Sequence, residues 1–214
     1  MKTAARITFV TFIVLIAMPA LGQSAGGQHH ARSTGFRCSP APCTLPPTQA
    51  SEGGGMVTDA PIITNPIDHN DLLLGSFDVN CGYSSRVGIH LPIDGGSAWS
   101  RVLCMAPIEY DKIEYLTCDE PSVGYDAKGT AYVSGLYCGG TEEESYSLVG
   151  VQKSADGTHW SKPKVALALV EPGQSGPYLT HLSVDASSGS PWVGTVYVSG
   201  VMVSNQGNNN QVLV

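Results

Sequence analysis

Gly129-Thr130-Ala131-Tyr132-Val133-Ser134-Gly135 recurs further along the chain as Gly194-Thr195-Val196-Tyr197-Val198-Ser199-Gly200, and the two copies differ only where Ala131 is replaced by Val196. A weaker copy, Asp71-Leu72-Leu73-Leu74-Gly75-Ser76, precedes Thr130 by a similar interval. Each copy is rich in β-branched, aromatic or aliphatic residues and contains or is bounded by glycine, which is typical of a β-strand between turns. The chain therefore contains a strand that is repeated at a long and nearly regular interval.

Each of these strands is preceded by a second apolar run. The three runs are Ile62-Ile63-Thr64-Asn65-Pro66, Ser122-Val123-Gly124-Tyr125-Asp126 and Leu182-Ser183-Val184-Asp185. Each run contains or ends in an Asn or Asp, whose side chain can bond the local backbone and favours a turn. A unit of this length accommodates a four-stranded antiparallel sheet, and neighbouring units can cover each other's faces around an axis. The sequence predicts an all-β fold from Met56 onward.

Two further segments are in step with this repeat. They are Pro92-Ile93-Asp94-Gly95-Gly96-Ser97-Ala98-Trp99 and Ser154-Ala155-Asp156-Gly157-Thr158-His159-Trp160, and the interval between their aspartates is close to that between the repeated strands. In such a turn a carboxylate accepts backbone N–H bonds, glycine supplies a positive φ, and tryptophan packs into the sheet.

These segments resemble the Asp box, or bacterial neuraminidase (BNR) repeat, of the sialidase superfamily, whose pattern is Ser-x-Asp-x-Gly-x-Thr-Trp. Pro92 and Ala98 depart from that pattern, and the second segment is one residue shorter. The resemblance implies structural rather than catalytic roles for Asp94, Gly96, Trp99, Ser154, Asp156, Gly157 and Trp160.

The resemblance implies a β-propeller of four-stranded antiparallel blades over residues 56–214. The expected blades cover about 56–108, 115–170 and 178–214, the last incomplete, because the chain reaches Gln211-Val212-Leu213-Val214 where a third Asp box is expected. About two and a half blades form an incomplete ring, since propellers close with about four to eight blades. The expectation is an N-terminal fragment of a sialidase-like protein.

The N-terminus predicts export. Lys2 and Arg6 precede an apolar run from Ile7 to Leu21, and this pattern favours a signal peptide over residues 1–22 and a secreted or periplasmic location. Residues 23–55, rich in Gly, Pro and Ser, are predicted to be a flexible arm. Signal removal changes the formal net charge from -7 to -9, because two cations leave. Such a chain is unsuited to nucleic acid or anionic membranes.

Export makes disulfides possible for the six cysteines, which are Cys38, Cys43, Cys81, Cys104, Cys118 and Cys138. None forms a Cys-x-x-Cys pair, so no metal site is predicted, and no cofactor is expected. Fifteen connectivities are possible. The strand layout favours pairing Cys81 with Cys104 and Cys118 with Cys138, whereas Cys38 and Cys43 could close a loop within the arm.

Sialidases combine an arginine triad, a tyrosine nucleophile paired with a glutamate, and an aspartate acid/base, and this set is not recognisable in the chain. The candidates for such chemistry are Asp78, at the end of a strand, and Glu109, Tyr110 and Glu114, in a segment that reads as a solvated inter-blade loop. Whether the protein is an enzyme stays open. The expected function is a scaffold that binds glycans or cell-surface proteins; the alternative is the N-terminal part of an exo-α-sialidase-type glycoside hydrolase.

Overall fold

The computed structural model describes residues 47–51, 55–82, 85–92, 94–99, 103–140, 145–168, 174–204 and 211–213. The predictions for the signal peptide and for Cys38 and Cys43 lie outside these residues. Within them the regular structure is thirteen β-strands and one 3₁₀ turn at Val79–Cys81, with no α-helix. The predicted all-β class is confirmed.

The strands form three consecutive antiparallel sheets. Sheet I contains β1 (Val57–Thr58), β2 (Ile62–Thr64), β3 (Leu72–Asp78), β4 (Val87–His90) and β5 (Leu103–Cys104). Sheet II contains β6 (Ile108–Tyr110), β7 (Ile113–Tyr125), β8 (Ala131–Gly140), β9 (Ser145–Ser154) and β10 (Lys164–Ala168). Sheet III contains β11 (Gln174–Val184), β12 (Val196–Ser204) and β13 (Gln211–Leu213). Each repeated segment of the sequence is therefore a strand of a different sheet.

Strands follow one another in chain order across each sheet. In sheet I, β1 and β2 both pair with β3, which is followed by β4 and β5. Sheet II runs from β6 through β10, and sheet III from β11 through β13. The first strands of the repeats, β1 with β2, the second half of β7, and β11, are consequently edge strands.

In each of the three sheets, the predicted turn connects the first strand of the repeat to the second. The side-chain Oδ1 atoms of Asn65, Asp126 and Asp185 each accept a hydrogen bond from the amide two residues further on, at 3.0, 2.9 and 3.0 Å. A short polar side chain thereby replaces a backbone acceptor and starts the reversal. Local side-chain chemistry therefore determines where these strands end.

The two Asp-Gly segments form tight turns of the predicted kind. Asp94 Oδ1 accepts from the Ala98 amide at 2.5 Å, and Asp156 Oδ1 accepts from the amides of the second and third residues after it, at 2.9 and 2.8 Å. Gly96 and Gly157 supply positive φ angles of 92° and 73°. The hydrogen bonds that Asp156 accepts, above all from His159, lower the pKa of its carboxyl well below its usual range.

The tryptophans that end these turns close each hairpin. Trp99 pairs with Pro92, and Trp160 pairs with Ser154, as isolated antiparallel bridges. Trp160 is partly buried against the main core and donates its indole N–H to the carbonyl of Gly157 at 3.0 Å. The indole of Trp160 is thus held within the fold, whereas the buried indole N–H of Trp99 has no hydrogen-bond partner among the described residues.

The main core lies between sheets I and II. Sheet I contributes Leu73, Val87 and Ile89, and sheet II contributes residues that include Val133 and Tyr137, all almost completely buried. Burial of a large aliphatic or aromatic side chain stabilises the fold by about 1.5 to 3 kcal/mol. Face-to-face packing of these side chains therefore stabilises this pair of sheets.

Glycines permit the closest approaches between sheets. A methyl group on Gly75 of β3 would lie 3.0 Å from Val123 of β7, and one on Gly124 of β7 would lie 2.8 Å from Leu182 of β11. Distances this short leave no room for a larger residue. Sheet I thus packs on one face of sheet II, and sheet III packs on the other.

Two disulfides have the predicted pairing. Cys118 of β7 is bonded to Cys138 of β8, its antiparallel neighbour. Cys81 lies just past β3 and is bonded to Cys104 of β5. Disulfides persist in oxidising compartments, so this pairing is consistent with an extracellular protein.

The segment predicted to be an inter-blade loop is instead a β-hairpin. β6 and β7 pair through Asp111 and Lys112, whose φ angles of 49° and 65° form a tight two-residue turn. Sheet II therefore begins at Ile108, earlier than the predicted boundary at residue 115. The charged residues of this hairpin favoured a solvated loop, but its alternation of Ile and Tyr with Glu also fits a half-buried strand.

Candidate functional site

The edge strands of the three sheets meet at one cavity. It has a volume of about 300 Å³ and is lined by residues 61–63 of sheet I, 122–125 of sheet II and 181–184 of sheet III. We call it the edge-strand cleft. The three lining segments are the equivalent apolar runs found in the sequence, so one cavity is formed by the same element of each repeat.

The polar side chains of the edge-strand cleft include Ser122 and His181, which lie close together. The Ser122 hydroxyl oxygen accepts the Leu182 amide at 3.0 Å and lies 3.4 Å from Nδ1 of His181. Because the Leu182 amide occupies an acceptor position of this oxygen, the hydroxyl proton of Ser122 is free to point towards the imidazole. The imidazole is exposed and offers a hydrogen-bonding group to a bound molecule.

Apart from the exposed Ser183, the remaining side chains of the lining are apolar or closed to solvent. Ile62 is exposed on the sheet I side, whereas Tyr125 is buried. Burial, reinforced by the neighbouring Asp71 carboxylate, strongly raises the pKa of the Tyr125 phenol, so Tyr125 stays protonated. The cleft therefore combines aliphatic surface with a few hydrogen-bonding groups, a composition typical of small-molecule sites.

Three residues beside the cleft share an uncommon backbone conformation. Asp59, Glu120 and Leu179 have φ angles of 48°, 55° and 49°, and they recur at nearly equal intervals along the chain, one in each repeat. The register of β7 and of β11 shifts at this point, as in a β-bulge. A left-handed non-glycine residue costs roughly 1 kcal/mol or more. Its repetition in β7, in β11 and in the link between β1 and β2 therefore marks a constrained feature.

Glu120 joins two of these bulges. Its carboxylate oxygens accept the amides of Leu179 at 2.8 Å and of Thr180 at 2.6 Å. The left-handed conformation of Leu179 turns two consecutive N–H groups towards sheet II, where the carboxylate receives both. Glu120 thereby fixes the edge strand of sheet III beside that of sheet II, next to the cleft.

The sequence does not predict the bridging role of Glu120, because both of its hydrogen-bond partners lie a whole repeat further along the chain. None of the three left-handed residues is glycine or asparagine, the residue types that usually indicate this conformation. The one available signal was positional. An acidic residue occurs at the same phase of the first two repeats.

The candidate Asp78 lies in the interior of sheet I. Oδ1 of this carboxylate accepts the backbone and side-chain N–H groups of Asn80, both at 2.8 Å, and so caps the 3₁₀ turn. Oδ2 lies 3.9 Å from Nε2 of His90. Both side chains are fully buried, and Oδ2 of Asp78 has no hydrogen-bond partner among the described residues.

His90 completes a buried polar cluster with Ser76. Nδ1 of the imidazole lies 3.1 Å from the Ala50 carbonyl oxygen, which can only accept, so Nδ1 carries the proton. Desolvation by burial lowers the pKa of His90 and favours the neutral ring, whose Nε2 accepts from the Ser76 hydroxyl at 2.7 Å. Serine and aspartate therefore face the same ring nitrogen, unlike a catalytic triad, in which they face opposite ones.

The other candidates lie on the β6–β7 hairpin. Glu109 is directly opposite Glu114, and both are exposed. The Tyr110 ring packs edge-on against the buried Tyr115 ring, with the two ring centroids 6.5 Å apart. No hydrogen bond or ion pair among the described residues joins this group to Asp78, so the four candidates are not assembled into one site.

The described residues contain no group of three or more His, Cys, Asp or Glu side chains that could hold a metal ion. The same part of the chain has no helix long and apolar enough to cross a membrane. No protein-family model matches the chain, and no curated protein shows a significant match to it.

Proposed function

We propose that this chain is an exported glycan-binding protein of the Asp-box β-propeller type and that its ligand occupies the edge-strand cleft. Three features support the propeller proposal. They are the resemblance of two turns to Asp boxes, the Asx turn repeated in three consecutive sheets, and the packing of each sheet on the next. In a propeller, blades pack face to face around a central channel.

The observation that carries the binding proposal is the convergence of equivalent edge strands on one cavity. A cavity of about 300 Å³ is at the lower end of the range for ligand sites and holds one sugar unit of a larger glycan. Hydroxyl, imidazole and backbone groups beside aliphatic side chains suit a neutral, hydroxyl-rich ligand. The net charge of -7 disfavours nucleic acid.

Binding is better supported than hydrolysis. Sialidases are an exception to the usual pair of catalytic carboxyl groups, so the alternative requires a tyrosine, a glutamate and an aspartate gathered at one site. Asp78 is buried, while Glu109 and Glu114 are exposed on the hairpin of sheet II. Among the described residues these candidates are therefore not gathered at one site, so the sialidase-like hydrolase that the resemblance also suggests has less support than binding.

The test is a glycan array with the purified, disulfide-bonded chain lacking residues 1–22, followed by titration of each glycan that binds. Ile62→Glu places a charge in the cleft, and we expect it to weaken binding at least about tenfold, or about 1.4 kcal/mol. Ile67→Glu is the matched control, because Ile62 and Ile67 are 55% and 66% exposed and Ile67 lies outside the cleft.

Selective binding that Ile62→Glu weakens and Ile67→Glu leaves unchanged supports the proposal. Turnover of a fluorogenic sialoside would establish the hydrolase instead. Absence of both binding and turnover would contradict a glycan function, and a protein ligand of the same cleft would then be the remaining form of the scaffold hypothesis.

A further inference from the structure

We propose that a second cavity, separate from the edge-strand cleft, binds a small organic carboxylate. This cavity has a volume of about 280 Å³ and is formed by sheets II and III. Sheet II contributes Lys153 and Lys164, and sheet III contributes Val196 and Val198. We call it the lysine cavity. All of its lining residues lie within residues 132–198, and none of them lines the edge-strand cleft.

The strand register places both lysines on one side of sheet II. Lys153 is directly opposite Tyr132 across β8 and β9. Lys164 is directly opposite Val151 across β9 and β10, and Val151 precedes Lys153 by two residues on β9. Side chains two residues apart on a strand share a side, so the lysines are diagonal neighbours with Cβ atoms about 7 to 8 Å apart. Two ammonium groups at this spacing can both reach one anionic group.

Sheet III closes the other side of the lysine cavity with aliphatic surface. Val198 pairs with Leu182, and Val196 pairs with Val184, across β11 and β12. Leu182 and Val184 are the side chains that a methyl group on Gly124 of sheet II would meet at 2.8 Å. Because paired residues share a side of the sheet, Val196 and Val198 also face sheet II. The valine wall of the cavity therefore belongs to the side of sheet III that packs on its neighbour.

The charge around the lysine cavity is opposite to that of the whole chain. Residues 145–168, which form β9, β10 and their turn, contain three lysines and one aspartate, so they carry a formal charge of +2 in a chain of -7. Neither Lys153 nor Lys164 forms an ion pair with a described residue, and no Asp or Glu is among the described residues of the lining. Two neighbouring cations repel each other, so an anion between them relieves that repulsion and attracts both.

Ser161 adds a third donor to the lining. Its hydroxyl oxygen accepts the Lys153 amide at 3.1 Å, so the hydroxyl proton stays available for a ligand. The Tyr132 hydroxyl, by contrast, donates to the Asp126 carboxylate at 3.4 Å. That carboxylate also accepts two backbone amides, at 2.9 and 2.8 Å, so its charge is already compensated by local donors. The lining therefore has free donors for an anion.

These features fit a carboxylate attached to a small apolar body. A volume of about 280 Å³ is at the lower end of the range for ligand sites. Two ammonium groups and a hydroxyl can form charge-assisted hydrogen bonds with a carboxylate. The valine walls suit an apolar group and are poorly matched to a hydroxyl-rich sugar. The inference does not rest on glycan binding, because the two cavities share no residue.

The experiment titrates the oxidised chain with sodium benzoate and follows the valine methyl resonances by NMR. We expect saturable shifts at Val151, Val196 and Val198, and no shift at Val123 of the edge-strand cleft. Benzamide has the shape of benzoate without its charge, and acetate has the charge without the ring. Each is expected to bind at least about tenfold more weakly than benzoate. Raised salt should weaken benzoate binding, since both lysines are exposed.

Variants of the lysines test the charge contribution. Lys153→Gln and Lys164→Gln are each expected to weaken benzoate binding about three- to fivefold, the size of an exposed charge pair. Lys162→Gln is the matched control, because Lys162 is an exposed lysine of the same segment that does not line the cavity. It is expected to leave the affinity unchanged.

Four results would overturn the inference. They are the absence of saturable shifts at the three valines, benzamide or acetate binding as tightly as benzoate, wild-type affinity in both cavity variants, and an equal loss of affinity in Lys162→Gln. The glycan array reports on the other cavity. Glycan binding without benzoate binding would refute the lysine cavity alone, and benzoate binding without glycan binding would refute the proposed function alone.

Discussion

Replacing Glu120 by glutamine tests the reasoning about how sheets II and III are held together. In the wild type both carboxylate oxygens accept backbone N–H groups, at 2.8 Å from Leu179 and 2.6 Å from Thr180. Glutamine has the same shape but only one acceptor oxygen. Its NH₂ group must face one of the two N–H groups, so one hydrogen bond is lost and one donor is left without an acceptor.

The expected cost follows from those contacts. A hydrogen bond to a charged group contributes about 1.5 to 3 kcal/mol, and a stranded buried donor costs about 1 to 3 kcal/mol. Thr180 is buried whereas Leu179 is exposed, so water can satisfy the Leu179 amide but not the Thr180 amide. We therefore expect Glu120→Gln to lower the free energy of unfolding by about 2 kcal/mol, or roughly 4 to 8 °C in Tm.

Urea denaturation of the oxidised chain measures this change, and Glu109→Gln is the control. Glu109 is an exposed carboxylate in the hairpin of sheet II, and its replacement is expected to stay within about 0.5 kcal/mol of the wild type. Glu120→Gly separates the two contributions, because glycine loses the carboxylate but removes about 1 kcal/mol of left-handed strain. If Glu120→Gln proved as stable as Glu109→Gln, the carboxylate would not hold the two sheets together.

Three further predictions concern the core and the disulfides. His90 has a lowered pKa in the folded chain, so the unfolded chain takes up the proton first and the free energy of unfolding decreases as the pH falls below about 6.5. His90→Asn, which retains one N–H donor, should flatten that decrease in urea titrations at successive pH values. Replacing Cys118 and Cys138 together by serine opens a loop with a sequence separation of 20 residues and should lower the free energy of unfolding by about 3 kcal/mol in the same assay. If mass spectrometry found either cysteine in a different linkage, the strand layout would be contradicted. Gly124→Ala places a methyl group 2.8 Å from Leu182 and should destabilise the chain by about 1 to 3 kcal/mol, and an unchanged Tm would refute the close approach of the two sheets.

The sequence predicts the strands and turns of this fold well because their causes are local. Asn65, Asp126 and Asp185 bond amides two residues away, so the turn chemistry is contained in the segment itself. The Asp-Gly turns at Asp94 and Asp156 are similarly self-contained. The cysteine pairs could also be inferred, since the strand order brings their positions together.

The features that escaped prediction depend on contacts distant in sequence. The cluster of Ser76 with His90 requires the register of β3 on β4 and the carbonyl of Ala50, which lies far from the histidine along the chain. Burial rather than residue type excludes Asp78 from a surface role, and burial follows from tertiary packing. The hairpin of Glu109 was misread because its charged residues were given more weight than its alternating apolar positions.

The repeated bulges also bear on solubility. The first strand of each repeat is an edge strand, and an extended edge with free N–H and C=O groups can recruit a strand from another molecule and start aggregation. The bulges at Glu120 and Leu179 and the break between β1 and β2 at Asp59 bend that edge. Pro61 and Pro121, which follow two of these positions, lack the N–H that an incoming strand would need. The strain at these positions therefore protects a chain that is rich in strands and poor in charge from uncontrolled growth of its sheets.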